Sequence, residues 1–171
     1  MNLPPFKLER YFAKYEFNTE FLLCSSDCEA MSIADLLALE PGSAEKFQQT
    51  WLGYTESQGS PALRREIAKV YETIQPEEIL VHTGAEEAIF LFMHATLNKG
   101  DHIIVHTPCY QSLRDVAKSI GCDVSPWRAR EENGWALDLD ELRHLMRTNT
   151  KAIIINTPHN PTGYLMSHED Y

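Results

Sequence analysis

Apolar and polar residues follow one another in blocks that predict strands and helices in turn. After residue 76, short apolar runs at 79–82, 102–106, 122–126 and 151–155 predict strands. Amphipathic or apolar stretches at 84–97, 110–120 and 138–147 predict helices between them, the last with Leu139, Leu142, Leu145 and Met146 turned inward. This alternation predicts an α/β fold, a three-layer αβα arrangement with a mainly parallel sheet.

The part of the chain before residue 76 has a more helical pattern. Apolar residues at helical spacing predict an amphipathic helix at 6–16, and Ser32 and Ser60 are candidate N-caps of later helices. A short helix is expected at 44–52, and a short strand at 21–23. The helix that begins at Pro61 is expected to bury a stripe formed by Leu63, Ile67, Val70 and Tyr71. A helical N-terminal arm therefore precedes the α/β region.

The segment 151–163, K-A-I-I-I-N-T-P-H-N-P-T-G, combines the end of a strand with a stiff polar turn. Its continuous apolar run predicts a strand buried on both faces, as in a parallel sheet covered by helices. Ligands of such sheets bind beyond the carboxyl ends of the strands, where Asn156 and Asn160 are expected. The alternative is an ordinary strand-to-helix loop rich in turn residues.

Composition excludes several function classes. The chain has 171 residues, a formal net charge of -10 and a pI near 5.1, which disfavours a nucleic-acid partner. Its apolar runs are too short for a membrane span, and no secretory leader is evident, so a soluble cytoplasmic protein is expected. Four scattered cysteines do not form a disulfide scaffold, and no second pair completes a metal site with Cys24 and Cys28.

Three predicted strands end in segments that carry polar residues or glycine: 83–87, 107–110 and 156–163. If the strands are neighbours, the three loops converge on one crevice. Gly84, Ala85 and Glu86 begin a helix, and such a start can bind phosphate, although most helix starts bind only water. Tyr110 could stack on a heteroaromatic ring or simply be half-buried packing.

Four sequence blocks in a fixed order resemble the class I and II aminotransferase family of fold-type I pyridoxal-phosphate enzymes. They are Y-T-E-S-Q-G-S-P-A-L-R-R-E-I-A (54–68), I-L-V-H-T-G-A-E-E-A-I (79–89), G-D-H-I-I-V-H-T-P-C-Y (100–110) and N-T-P-H-N-P-T-G (156–163). The last block is the most specific, and the ordered set is more specific than any member. The resemblance implies that residues 1–52 form an arm and part of a small domain, and that 53–171 begin the large, cofactor-binding domain.

The resemblance also implies roles for individual residues. Gly84, Ala85 and Glu86 match the helix start that binds the cofactor phosphate, and Tyr110 matches the aromatic residue that stacks on the pyridine ring. Asn160 matches the asparagine that hydrogen-bonds the phenolic oxygen of the cofactor, with Asn156 as its support. Thr107-Pro108 and Asn160-Pro161 are candidate cis peptide bonds.

Two further roles follow from the resemblance. Tyr54 matches a tyrosine that reaches the phosphate of the neighbouring subunit, which implies a homodimer. Ser25 and Asp27 lie in a segment that resembles the arm at the substrate entrance, although for Asp27 an ordinary surface turn is the favoured explanation.

The lysine that binds the cofactor covalently is missing from this stretch, because none of the chain's lysines lies in the family's serine-rich context. Ser167 to Tyr171 also read as the start of a helix that does not continue. We therefore expect the N-terminal part of an enzyme that moves an amino group from an amino acid to a 2-oxo acid. The alternatives are a fold-type I lyase, decarboxylase or cyclising synthase, and a non-catalytic fragment.

Overall fold

The computed structural model describes residues 3–171, which form two compact units. One unit comprises residues 27–83, and the other comprises residues 3–26 together with 84–171. The α-helices of the described residues are α1 (Lys7–Tyr15), α2 (Ile33–Ala38), α3 (Ser43–Gln48), α4 (Pro61–Ala68), α5 (Ala85–Thr96), α6 (Ser112–Ile120) and α7 (Leu139–Leu145). Short 3-10 turns occupy Pro76–Glu78 and Glu131–Asn133.

The larger unit is built on a parallel sheet. Its strands are β1 (His102–Thr107), β2 (Asp123–Arg128) and β3 (Thr150–Ile154), in the order β2-β1-β3. Both neighbours pair with β1 in parallel, which requires a crossover between successive strands; α6 connects β1 to β2, and α7 connects β2 to β3. The predicted α/β fold with a parallel sheet is confirmed.

The hydrophobic core lies between β1 and the helices α5 and α6. It is formed by Met93, Leu97, Ile103, Val105, Val116, Ala117 and Cys122. Because side chains alternate across a strand, His102, Ile104 and His106 lie on the opposite face of β1. Trp127 of β2 is paired with His106 on that face, and its indole Nε1 donates to the carbonyl of Asp138 (2.8 Å) at the start of α7. Helices therefore cover both faces of the sheet.

Strand β3 is more exposed than the sequence predicts. A strand buried on both faces was expected, but Lys151 and Ile153 are exposed while Ala152 and Ile154 are half-buried. The reason is its position: β3 lies at one end of the sheet and pairs with β1. One face still packs against the core through Ala152 and Ile154.

Two predicted strands are absent from the described residues. Residues 79–82 form no strand, and the backbone N–H of Val81 donates to the carbonyl of Gln58 (2.9 Å). Residues 21–23 are irregular. A strand forms where a neighbouring strand pairs along its whole length, and neither segment belongs to the sheet of the described residues.

The apolar stripe predicted for α4 is also wrong. The helix ends at Ala68, so Val70 and Tyr71 lie beyond it and are exposed, as is Leu63. Arg64 instead ties α4 to the preceding turn and to the 3-10 turn, donating from Nε to the carbonyl of Gly59 (3.0 Å) and from Nη1 to that of Pro76 (2.9 Å).

Helix α7 is likewise shorter than predicted. It ends at Leu145, which leaves Met146 exposed rather than inward. The helix expected at 44–52 is α3, which ends at Gln48. Among the described helices, none has the length and apolar character needed to cross a bilayer.

Candidate functional site

Tyr110 and Asn160 line one pocket at the carboxyl ends of β1 and β3. Tyr110 lies in the loop between β1 and α6, and Asn160 lies in the turn after β3. The pocket has a volume of about 260 Å³ and is lined by Phe6, Lys7, Leu8, Cys109, Tyr110, Gln111, Arg114, Asn160 and Pro161. Two of the three predicted loops therefore converge, as expected for neighbouring parallel strands.

The turn that carries Asn160 is held by Asn156. The backbone N–H of Asn160 donates to Oδ1 of Asn156 (2.9 Å), which fixes the position of the Asn160 backbone. The amide Nδ2 of Asn160 lies 3.5 Å from Oγ of Ser26, a distance at the weak end for a hydrogen bond. Because the Asn160 side chain is exposed and only weakly engaged, its amide can donate to a ligand in the pocket.

Tyr110 is bound to the N-terminal helix. Its hydroxyl donates to the carboxylate of Glu9 in α1, and its ring lies 5.6 Å from that of Phe6, tilted by 59°. The bond to Glu9, together with burial, raises the pKa of Tyr110 to about 12. The phenol is therefore neutral near pH 7 and remains a donor to Glu9.

A second link holds α1 against the same loop. The side chain of Gln111 accepts from the backbone N–H of Lys7 (3.1 Å) and donates to the carbonyl of Pro5 (3.2 Å). The N-terminal arm therefore forms one wall of the pocket.

The start of α5 lies next to the loop of Tyr110. Gly84, Ala85 and Glu86 are exposed, and the first helical bond runs from the N–H of Ala88 to the carbonyl of Gly84 (3.3 Å). The backbone N–H groups of the first turn therefore do not donate to carbonyls of the helix itself, and the helix dipole makes this end positive. Buried Ser112 donates to Oε1 of Glu86 (2.8 Å), which joins α5 to the start of α6.

The charge of the pocket comes partly from Arg114. Its Nε donates to Oδ1 of Asp115 (2.7 Å), and the carboxylate of Asp115 is buried. The guanidinium holds the pKa of Asp115 below its ordinary value. Burial raises the pKa of the neighbouring Cys109 thiol, so Cys109 is a neutral wall of the pocket.

The remaining predicted residues are not among those that line the pocket. Tyr54 belongs to the smaller unit, where it is 99% exposed. Ser25 and Asp27 are exposed and lie in an irregular segment. The hydroxyl of their neighbour Ser26 lies 3.5 Å from Nδ2 of Asn160.

Two buried histidines beside the site were missed by the sequence analysis. His106 and His159 stack with ring centroids 3.6 Å apart, and each is 3% exposed. Burial lowers the pKa of both, that of His106 to about 4, so both rings are neutral near pH 7. A histidine inside an otherwise apolar strand, as at His106, was the available signal for the pair.

Two other expectations concern the backbone and metals. Thr107-Pro108 and Asn160-Pro161 are cis, as predicted, and Thr157-Pro158 is cis as well. No cluster of metal-ligating side chains occurs within residues 3–171.

Comparisons with known proteins identify the family of the chain. The family described as aminotransferase class I and II matches residues 19–171. A PLP-dependent aminotransferase from Streptococcus suis superposes with a TM-score of 0.91 at 36% identity, over 99% of this chain and 46% of that one.

Curated relatives match over most of the chain. Capreomycidine synthase from Streptomyces vinaceus is 31% identical over 163 residues, which is 94% of this chain and 42% of the relative. Aspartate aminotransferase from Sulfurisphaera tokodaii is 33% identical over 132 residues, 73% of this chain and 33% of the relative. The chain thus spans less than half the length of these relatives, and it belongs to the class I and II aminotransferase family.

Proposed function

We propose that the full-length protein is a pyridoxal-phosphate-dependent aminotransferase that moves an amino group from an amino acid to a 2-oxo acid. The observation that carries this proposal is the pocket shared by Tyr110 and Asn160, within a chain of the class I and II aminotransferase family. Pyridoxal phosphate supplies an electron sink for bond cleavage at the substrate Cα. The contribution of this chain is to bind and orient that cofactor.

The residues present fit the cofactor. The start of α5 at Gly84, Ala85 and Glu86 offers backbone donors and a positive dipole end for the phosphate. Tyr110 offers an aromatic ring for the pyridine, and the weakly engaged amide of Asn160 offers a donor for the phenolic oxygen. Asn156 supports Asn160 through the backbone bond of the turn.

The cofactor phosphate is also proposed to meet Tyr54 of a second subunit in a homodimer. The nearly complete exposure of Tyr54 leaves its hydroxyl available to a partner. Ser25 and Asp27 are proposed to line the substrate entrance, because neighbouring Ser26 lies beside Asn160. A cytoplasmic location fits the four free thiols.

A second function, that of a fold-type I lyase, decarboxylase or cyclising synthase, is favoured by one observation. Capreomycidine synthase, a curated relative named as a synthase and not as an aminotransferase, matches over 94% of the chain. The same cofactor cradle serves several reaction classes, so the cradle alone does not separate them.

The test uses the purified full-length protein with pyridoxal phosphate and panels of amino acids, with and without 2-oxo acids. We expect a new amino acid to form only when a 2-oxo acid is present, in equal amount to the donor consumed. Release of ammonia or carbon dioxide without an acceptor contradicts aminotransfer and supports the second function.

A further inference from the structure

His159 directly joins the two loops that carry Tyr110 and Asn160. Its Nε2 lies 2.8 Å from the carbonyl oxygen of Pro108, a residue 51 positions earlier in the chain. Pro108 is two residues before Tyr110, and His159 immediately precedes Asn160. A single side chain therefore links the loop of the proposed ring-stacking residue to the turn of the proposed amide donor.

The hydrogen bonds of His159 define one tautomer. A carbonyl oxygen can only accept, so Nε2 carries the proton and donates it to Pro108. Nδ1 is then the acceptor, and it lies 2.7 Å from the hydroxyl of Thr162, which donates to it. That hydroxyl in turn accepts from the backbone N–H of Tyr164 (3.2 Å). Both ring nitrogens are satisfied, which fixes the orientation of the ring.

The backbone of His159 closes the turn around Asn160. Its N–H donates to the carbonyl of Tyr164 (2.8 Å), and its carbonyl accepts from the N–H of Gly163 (2.7 Å). The imidazole ring is buried and stacks on His106, whose strand also leads into Pro108. The turn cannot shift relative to the Tyr110 loop without breaking the bond to Pro108 or this stack.

We propose that His159 is a positioning residue, whose bridge to the Pro108 carbonyl sets the distance between the Asn160 amide and the Tyr110 ring. The inference rests on the proposed pyridoxal-phosphate site, because the distance between these two groups matters only when both bind the cofactor. His159 itself touches neither the cofactor nor the substrate in this assignment. It acts by pre-organising the two groups that do.

Three substitutions separate the effect of the hydrogen bond to Pro108 from the effect of the size of the ring. His159→Phe keeps a ring to stack on His106 and removes both hydrogen bonds. His159→Gln places an amide nitrogen near the position of Nε2 and can still donate to Pro108. His159→Asn is shorter, so it retains an acceptor for Thr162 and loses the reach to Pro108.

His102→Phe is the matched control. His102 is the buried histidine at the other end of β1, and its two nitrogens bond the hydroxyls of Thr150 (2.7 Å) and Ser125 (2.9 Å). This change also removes two hydrogen bonds of a buried histidine, far along the strand from the pocket. It measures how much the loss of two hydrogen bonds of a buried histidine lowers stability.

Each full-length variant is prepared without cofactor, its thermal midpoint is measured, and pyridoxal phosphate is then titrated by absorbance. We expect His159→Asn, which loses the bond to Pro108, to bind the cofactor roughly tenfold more weakly, and His159→Phe, which loses both bonds, to bind it at least as weakly. His159→Gln should bind nearly as well as the wild type. The pH at which the absorbance of the bound cofactor changes should shift in the Phe and Asn variants and not in His102→Phe.

The outcomes distinguish the inference from the proposed function. Wild-type affinity in His159→Asn, or equal weakening in the Asn and Gln variants, overturns the positioning role. Equal loss of affinity in His102→Phe at the same thermal midpoint shows a purely structural effect and also overturns it. If His159→Phe does not fold, the Asn and Gln pair still decides the question. A wild-type protein that does not bind pyridoxal phosphate overturns the proposed function as well.

Discussion

At the scale of single residues, neighbouring residues hold Asn160 in a position from which its side chain can bind a ligand. Its backbone is fixed by Asn156, whereas its side-chain amide has only a 3.5 Å contact to Ser26. Because the side-chain amide of Asn160 makes only a weak hydrogen bond, little interaction energy is lost when it donates to a ligand oxygen instead. This combination makes Asn160 the most informative residue of the proposed cofactor site.

Asn160→Ala in the full-length enzyme should weaken activity and raise the pH at which the absorbance of the bound cofactor changes. A hydrogen bond to the anionic phenolic oxygen favours its charged form, so loss of the donor favours the protonated cofactor. A spectral pH titration measures the shift. Asn133→Ala, an exposed change in a separate 3-10 turn, serves as the control. An unchanged titration in Asn160→Ala contradicts the assigned role.

His106 makes stability depend on pH. Burial lowers its pKa from the ordinary 6.5 to about 4, so the unfolded chain takes up a proton at a higher pH than the folded chain does. The contribution of His106 is complete above pH 6.5 and is lost as the pH falls through about 4. The shift corresponds to on the order of 3 kcal/mol. His159 contributes in the same direction, because burial lowers its pKa too.

His106→Phe should therefore flatten the fall in unfolding free energy between pH 6.5 and about 4. Urea denaturation at a series of pH values measures this slope, and each protein is compared with its own value at pH 7. The slope is the readout because the larger ring can also change stability at every pH. A slope equal to that of the wild type would show that His106 is not buried in its neutral form.

At the scale of elements, the turn before α4 depends on a glycine. Gly59 has φ +103°, a conformation that favours glycine, and a Cβ at this position would lie 2.5 Å from Cγ2 of Val81. Gly42, before α3, has φ +80° but nothing within 4 Å of such a Cβ. The two positions share the backbone strain and differ in the steric contact.

Gly59→Ala should lower the unfolding free energy of the protein more than Gly42→Ala does. The backbone strain costs about 1–2 kcal/mol at either site, and displacing Val81 adds about 1–3 kcal/mol at Gly59. Chemical denaturation of the wild type and both variants measures the difference. Equal losses would show that the Val81 side chain moves away from position 59 without cost.

The elements also show what the sequence could predict. The apolar runs of β1, β2 and β3 were correctly predicted as strands of a parallel sheet, and the loops after β1 and β3 bring Tyr110 and Asn160 to one pocket, as expected. Residues 79–82 have a similar apolar pattern, yet they form no strand, because a pattern does not specify whether a pairing partner exists. The role of His159 was also beyond local pattern, since its partner Pro108 lies 51 residues away.

At the scale of the whole molecule, the proposed site is shared between subunits. Asn160 acts within its own subunit in this proposal, whereas Tyr54 acts on the cofactor phosphate of the partner. Asn160→Ala and Tyr54→Ala should each impair activity when every subunit carries the change. A dimer formed from one subunit of each kind differs, because the two changes then fall in the same site.

In such a hybrid, the subunit that carries Tyr54→Ala keeps its own Asn160 and receives Tyr54 from its partner. One of the two sites is intact, and random mixing of equal amounts makes about half of the dimers hybrids, so about a quarter of the sites recover. The measurement is amino-transfer activity after the two full-length variants are unfolded together and refolded, with each variant refolded alone as the control. If Tyr54 served its own subunit, both sites of every hybrid would carry one change and the mixture would be no more active than its components.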